Sequence, residues 1–484
     1  MPKINFHVIL KFIGILLCME SIFMLVPFVV ALIYGEGDAP AFIKSASITA
    51  IVGGILFYIF RNSRNDVGKR ESYLLVTSIW LFFSAFGMLP FCLMPNHLSI
   101  TDAIFETVSG LTTTGASIIE NVDVLPHGIL FWRSFMHFIG GMGIILLTIA
   151  ILNHQGGLLL FNSEVTGITT EKLKPKIGET AKKLWSVYII LTIILCLLLW
   201  LGPMNLFDAI CQAFCVMATG GFSTKQAGIN FWNSSYTEYV MTIFTFIAGI
   251  NFALVYRAVT GDFKKLLHNE ETKWYTAIVL GATLLVITGL YITNQNGSFE
   301  DTFRRSLFLV VTIVTSTGYT GDDYVAWGPF FTTIFLLLMF FGACAGSTCG
   351  GAKIDRLVVL AKNTKNELYR VIHPNAILPV RVNGKAVSHE IVSKILAFIL
   401  VYVMVLIAGS IILSALGLSM EEAFGSTLSC LSNIGPGAGS TGPAGNYAFI
   451  PDLGKWTLSI IMLIGRLELF TVLILFTSYF WKNS

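Results

Sequence analysis

Charged side chains are scarce in this sequence. Asp, Glu, Lys and Arg make up 12% of its 484 residues, about half the share of an ordinary soluble domain, which is too little to cover a large water-facing surface. Histidine is sparse too, no His-Glu-x-x-His run is present and the histidines do not pair with a recognisable nucleophile motif, so an intramembrane protease or other enzyme is not expected. The 8 cysteines lie mostly in or beside apolar segments without metal-like spacing, which argues against a disulfide framework or a zinc site. Cys344 and Cys349 share one loop and read as small packing residues. A net charge of +3 is too small to point to nucleic acid. No apolar segment carries a regular arginine series, which excludes a voltage sensor. Gly346 to Lys353 resembles a phosphate loop only superficially, because the lysine does not directly follow the last glycine and no Ser or Thr comes next. No cofactor is expected.

What the sequence does have is long apolar runs. A membrane-spanning helix needs about 20 such residues, and ten segments qualify: about 7–34, 41–60, 73–93, 129–152, 185–202, 238–256, 275–293, 330–352, 391–416 and 456–480. The first is too long for a typical cleaved signal and reads as a retained helix. With the N-terminus inside, 23 of the 31 Lys and Arg fall on inner ends and loops, and only Lys225, Arg304, Arg305 and Lys455 on outer loops. The positive-inside rule then places both termini in the cytoplasm. The fold class expected is an all-α polytopic membrane protein.

One short pattern occurs four times in the outer loops. Asp102 leads to Gly115, Asp208 to Gly221, Arg305 to Gly318 and Glu422 to Gly435, each at an offset of 13 residues. Each copy starts with roughly ten helical residues, too few to cross, and ends in a polar loop. Bare backbone at membrane depth is tolerated only when enclosed by protein or lining a water-filled cavity. Four short helices aimed inward place their negative dipole ends at a common point, which favours a cation. Thr113, Thr114 and Gly115, Thr219, Gly220 and Gly221, Ser316, Thr317 and Gly318, and Asn433, Ile434 and Gly435 are the candidate ion ligands, mainly through carbonyl oxygens that replace the hydration shell of a potassium-sized ion. The acidic starts Asp102, Asp208 and Glu422 read first as helix caps, and Arg305 breaks their set.

The eighth segment contains a break. Apolar residues from Phe330 to Phe341 give way to Gly342-Ala343-Cys344-Ala345-Gly346-Ser347-Thr348-Cys349-Gly350-Gly351, with Lys353 just beyond. Twelve helical residues descend only about 18 Å, the middle of a hydrocarbon core about 30 Å thick. Arg466, ten residues past Trp456, falls at the same depth, and a mid-membrane arginine is costly and usually functional. A mobile loop and a fixed positive charge there would obstruct cations. Gly342, Gly346, Ser347, Thr348, Gly350, Gly351, Lys353 and Arg466 are therefore the candidate gate. The structural alternatives are an ion pair of Arg466 with Glu468, snorkelling of Lys353 to the cytoplasmic side, helix–helix contacts for Glu20 and Arg133, and simple packing for His137.

The motifs LTTTGAS at 111–117, MATGGFS at 217–223, TSTGY at 315–319 and LSNIGPG at 431–437 resemble the four filter loops of the Trk/Ktr/HKT potassium transporter superfamily. GACAGSTCGGAK at 342–353 and IGRLELF at 464–470 do so as well. The resemblance is closest to the bacterial TrkH-type subunit, because two extra spans precede the first repeat. It implies ten transmembrane helices: an extra pair over 1–70, then helix–pore-loop–helix repeats over 71–160, 161–268, 269–372 and 373–484 around one pore. It further implies potassium uptake across the bacterial inner membrane by a homodimer, selectivity from Gly115, Gly221, Gly318 and Gly435, and control by a cytoplasmic nucleotide-binding TrkA-type ring. With one shared glycine per loop and a chemically different fourth loop, rubidium should permeate well and sodium weakly. The competing expectation is a proton- or sodium-coupled potassium symporter using Glu20, His137 and Glu468.

Overall fold

The computed structural model describes residues 4–63, 67–143, 177–319 and 321–482. The second half of the span expected at 129–152, and the boundary expected between 160 and 161, lie outside the described residues. Among the described residues six helices are long and apolar enough to cross a membrane: Phe6–Tyr34, Ala39–Phe60, Arg70–Leu93, Glu179–Leu201, Glu270–Ile292 and His389–Ala415. They match the first, second, third, fifth, seventh and ninth apolar segments of the sequence.

The remaining apolar segments are bent or short within the described residues, where up to eight crossings result if each bent pair counts as one. Helices Ser235–Ala248 and Phe252–Val259 meet at 108°, and Asp452–Arg466 meets Phe470–Phe476 at 109°. Pro329–Phe341 stops after 13 residues. His127–Gly141 runs for 15. The expected mid-membrane break is therefore not peculiar to the eighth segment. Gly249-Ile250-Asn251 and Leu467-Glu468-Leu469 are breaks that lie inside runs apolar enough to read as continuous. Glu468 and Leu469 both take positive φ, 55° and 23°, which ends the helix at Arg466.

Four short helices stand between these elements. We number them α1, Ile100–Leu111; α2, Leu206–Met217; α3, Phe299–Val314; and α4, Met420–Ser432. Each begins at a polar side chain that accepts the main-chain N–H of the third helical residue: Ser99, Asn205, Ser298 and Ser419. These are the true caps, which corrects the reading of Asp102, Asp208 and Glu422 as caps. The acids instead sit at the third helical position, where a carboxylate complements the helix dipole. α3 has 16 residues, against 12, 12 and 13 for the others. Its extra turn explains the anomaly at Arg305. The acid at the third helical position of α3 is Asp301, one turn earlier, and it bonds Arg304 and Arg305.

The helix pair at the N-terminus crosses closely where Gly14 faces Gly53, and a Cβ on Gly14 would lie 2.7 Å from the Phe57 nitrogen. Small residues permit such approach where no hydrophobic force drives helices together in lipid. Lys11 donates to the carbonyls of Arg61 and Ser63 at 3.0 and 2.9 Å, fastening the basic end of the pair. One amendment applies to the all-α expectation. Arg381–Val382 and Lys385–Ala386 form a two-stranded antiparallel ribbon, turned by Asn383 and Gly384 at φ 50° and 76°. Asn-Gly is a strong short-range hairpin signal.

Candidate functional site

Each short helix ends in the same way. Thr113, Thr219, Ser316 and Asn433 adopt left-handed backbone at φ 53°, 53°, 52° and 54°. The next N–H reaches back five residues: Thr114 to Ser109, Gly220 to Cys215, Thr317 to Thr312 and Ile434 to Ser429, at 2.8–2.9 Å. This is the Schellman termination, here built without glycine at the left-handed position. Gly115, Gly221 and Gly318 follow at φ 78°, 80° and 70°, and Gly435 at 105°. Left-handed residues in close succession turn the chain back on itself at each of the four loops.

The four glycines close a ring in chain order. A Cβ on Gly115 would lie 2.1 Å from the Gly220 oxygen, one on Gly221 2.1 Å from Thr317 O, one on Gly318 1.8 Å from Ile434 O, and one on Gly435 2.7 Å from Thr114 O. Each loop thus abuts the carbonyl before the glycine of the next, and the fourth abuts the first. Asn433 Nδ2 also donates to Thr114 Oγ1 at 2.9 Å across that last junction. Thr113, Thr114, Thr219, Thr317 and Ile434 are buried, whereas Gly115 and Gly221 are half-exposed within the protein.

Behind the ring lies a polar scaffold that the sequence reading largely missed. Arg133 and Glu106 form an ion pair at 2.8 Å with side chains 2% and 0% exposed. Glu106 also accepts from Ser117 Oγ and Ile118 N, and Arg133 donates to Ser223 O and stacks on Phe222 at 4.1 Å. The pair therefore ties the first loop to the second. Gln212, at the matching position of α2, accepts from Tyr319 Oη at 2.6 Å and donates to Ser223 Oγ at 3.2 Å. At the start of α1 Lys455 pairs with Asp102 at 2.6 Å.

The loop from Gly342 to Lys353 lies against this ring. Gly342, Gly346, Gly351 and Lys353 have φ of 67°, 74°, 77° and 69°. Gly350 N donates to Ser316 Oγ at 2.7 Å, and Thr219 Oγ1 donates to Thr348 Oγ1 at 3.2 Å. A Cβ on Gly350 would lie 2.2 Å from Ser432 O. Second, third and fourth loops are thus in contact with it. Arg466 supplies the first side. Its Nη1 donates to Thr348 O at 2.8 Å, and its Nη2 to Gly140 O and Gly141 O at 2.5 and 3.0 Å. Glu468, the ion-pair partner considered for Arg466, engages Arg356. Ser347 Oγ donates within the loop, to Cys344 O at 2.6 Å. Lys353 is half-buried at the start of helix Ile354–Ile372.

Two further residues hold the loop and were not among the candidates. Asn251, at the break of the sixth segment, donates to Ala345 O at 2.7 Å. Glu271 accepts from Ala345 N at 2.6 Å. A polar pair flanking an apolar run was the available signal, but it does not say where the run bends. His137 Nδ1 meets Gly110 O at 2.8 Å, and Glu20 lies beside Gly87 and Thr107. Together with Glu468 on Arg356, the three groups of the symporter reading make their contacts in separate places.

Apolar helices of spanning length, four inward loops closed into one ring and broken helices meeting beneath it define an integral membrane protein of the transporter class, not an enzyme. The chain belongs to the TrkH cation transport protein family, which matches residues 38–482. The potassium uptake proteins TrkH of Salmonella typhimurium and Escherichia coli are each 36% identical to it over 484 residues, covering 99% of this chain and all of theirs. TrkI of Halomonas elongata is 33% identical over 98% of the chain and 97% of its own length. The crystal structure of the potassium transporter TrkH from Vibrio parahaemolyticus superposes with a TM-score of 0.90 at 34% identity, covering 99% of this chain and all of that one.

Proposed function

We propose that this protein takes up potassium through a single-chain, pseudo-fourfold pore whose filter is the ring of carbonyls around Gly115, Gly221, Gly318 and Gly435. The observation that carries the reading is the cyclic contact of the four loops, each glycine against the carbonyl of the next. A closed ring of small residues at the C-terminal ends of α1 to α4 favours a partly dehydrated cation by both dipole and carbonyl oxygens. The repeats then occupy 71–160, 161–268, 269–372 and 373–484, with 1–70 as an added pair, and ten crossings require the segments at 129–152 and 330–352 to cross in addition to the six long helices and the two bent pairs.

In this reading the loop 342–353 is the gate. It lies on the inner side of the ring, and Arg466 latches it to the first repeat while adding positive charge to the ion path. Releasing the latch opens the path. A homodimer in the bacterial inner membrane, both termini cytoplasmic, and a TrkA-type ring acting on inner segments such as 353–390 complete the proposal. Rubidium permeates well and sodium weakly.

Reversal potential decides it. Purified protein in liposomes, under opposed potassium and sodium gradients with pH varied independently, should give a potential near the potassium value and indifferent to pH. A potential that follows the proton gradient would replace the pore with a symporter and make Glu20, His137 and Glu468 the residues to test.

A further inference from the structure

The four filter glycines are not equivalent, and we infer that the fourth carbonyl is withdrawn from the ion path: Tyr447 holds the Gly435 oxygen back toward its own pore helix, leaving three glycine carbonyls to face the ion at this layer. The inference rests on the pore reading above.

Tyr447 Oη donates to Gly435 O at 2.6 Å. Its ring is 2% exposed and packs against Phe105 with centroids 5.6 Å apart. The hydroxyl lies beside Ser429 and Cys430 of α4, the helix that backs this loop. A carbonyl aimed at a hydroxyl between loop and helix is aimed away from the axis. The ring cannot drift, because Tyr447 N also donates to Ser117 O of the first loop at 2.9 Å. A second tyrosine repeats the arrangement two residues on, with Tyr324 Oη donating to Gly437 O at 2.5 Å. Among the described residues no hydrogen bond is donated to the carbonyls of Gly115, Gly221 or Gly318. The backbone records the difference, with φ of 105° at Gly435 against 70–80° at the other three.

The physical consequence concerns selectivity. A layer of three carbonyls strips less of the hydration shell than a layer of four, so a smaller ion that keeps water is penalised less. Tyr447 is thus a positioning residue that sets the number of oxygens the ion meets. Removing its hydroxyl deprives a buried carbonyl of that donor, and the oxygen regains a partner by turning to the ion.

Two measurements test this. The first is the anomalous map of wild-type crystals soaked in thallous ion as a potassium surrogate. The ion at the glycine layer should lie within coordination distance of the Gly115, Gly221 and Gly318 oxygens and off-centre, away from Gly435. Equal distances to all four oxygens would overturn the inference while leaving the pore intact. Thallium at none of the four glycines, with no cation flux in liposomes, would instead sink the pore reading itself. The second is the bi-ionic reversal potential of Tyr447→Phe, where sodium permeability relative to potassium should fall several-fold. A ratio unchanged from wild type in a conducting variant would count against the role of the hydroxyl, and if the variant does not fold, the wild-type map decides.

Discussion

The ring of glycine loops and the loop 342–353 lie against each other, yet they are held in different ways. In the ring, each turn is fixed by hydrogen bonds to its own helix: a polar cap at one end and a five-residue back-bond at the other. The loop 342–353 is fixed mostly from outside. Its N–H and carbonyl groups are met by Ser316, Glu271, Asn251 and Arg466, all distant in sequence. No side chain caps the helix that follows it, at Lys353. Locally closed hydrogen bonds persist as long as the helix does, whereas bonds made to other segments are lost together when those segments shift. The difference teaches which part of the site can stay rigid while the other moves.

The comparison predicts the largest effect inside the ring. Gly318→Ala places a Cβ 1.8 Å from a backbone oxygen, which no rotamer relieves, and rubidium flux into liposomes should be abolished. Gly328→Ala, also at positive φ but with open space around it, should retain flux. Next comes the scaffold. Glu106→Ala leaves Arg133 as an uncompensated buried charge and should cost about 3–5 kcal/mol of stability, read as a lowered melting temperature in detergent. Gln212→Ala, at the equivalent position but neutral, should cost about 1–3 kcal/mol. Equal losses would mean that the two quarters are supported alike.

Breaking the loop's outside contacts should raise flux rather than lower stability. Arg466→Ala removes the bonds to Thr348, Gly140 and Gly141 and a positive charge, so flux should rise several-fold. Glu271→Ala removes the bond to Ala345 N without removing a positive charge, and should raise it less. Unchanged or lower flux in well-folded Arg466→Ala protein would count against a latch. The smallest effect belongs to a single cap: Ser298→Ala should cost about 1 kcal/mol, with flux unaltered, because the extra turn of α3 separates its start from the ring.

Much of the site was legible in the sequence because its determinants are local. The spacing of 13 residues from Asp102 to Gly115, Asp208 to Gly221 and Glu422 to Gly435 reflects a helix of 12 or 13 residues followed by a fixed turn, and α3 adds one helical turn before the same loop. The caps were misassigned by three residues for a specific reason. Ser and Asn at the cap, and Asp or Glu three residues later, both complement a helix start, and the acid is the more conspicuous signal. The anomaly at Arg305 could have been resolved from the same rule, since Ser298 and Asp301 repeat the cap-and-acid spacing one turn upstream.

The breaks at Gly249–Asn251 and Leu467–Leu469 were not legible. Each interrupts an apolar run whose composition suits a continuous helix, and at the first the chain bends where partners elsewhere satisfy its freed backbone groups. Gly249 O accepts from Cys344 N at 3.0 Å, and Gly346 O from Phe252 N at 3.0 Å. Those bonds exist only once the segments have been assembled.

By itself the sequence determined a membrane protein with four matching inward loops, because hydropathy, charge placement and helix-to-glycine spacing are properties of single segments. Only the tertiary structure decided that the loops close into one ring in chain order, that Arg466 bridges the loop to Gly140 and Gly141, and that the Gly435 carbonyl meets Tyr447. Each of these joins residues from segments far apart in the chain, and nothing in a linear pattern encodes which backbone oxygen a distant donor will reach.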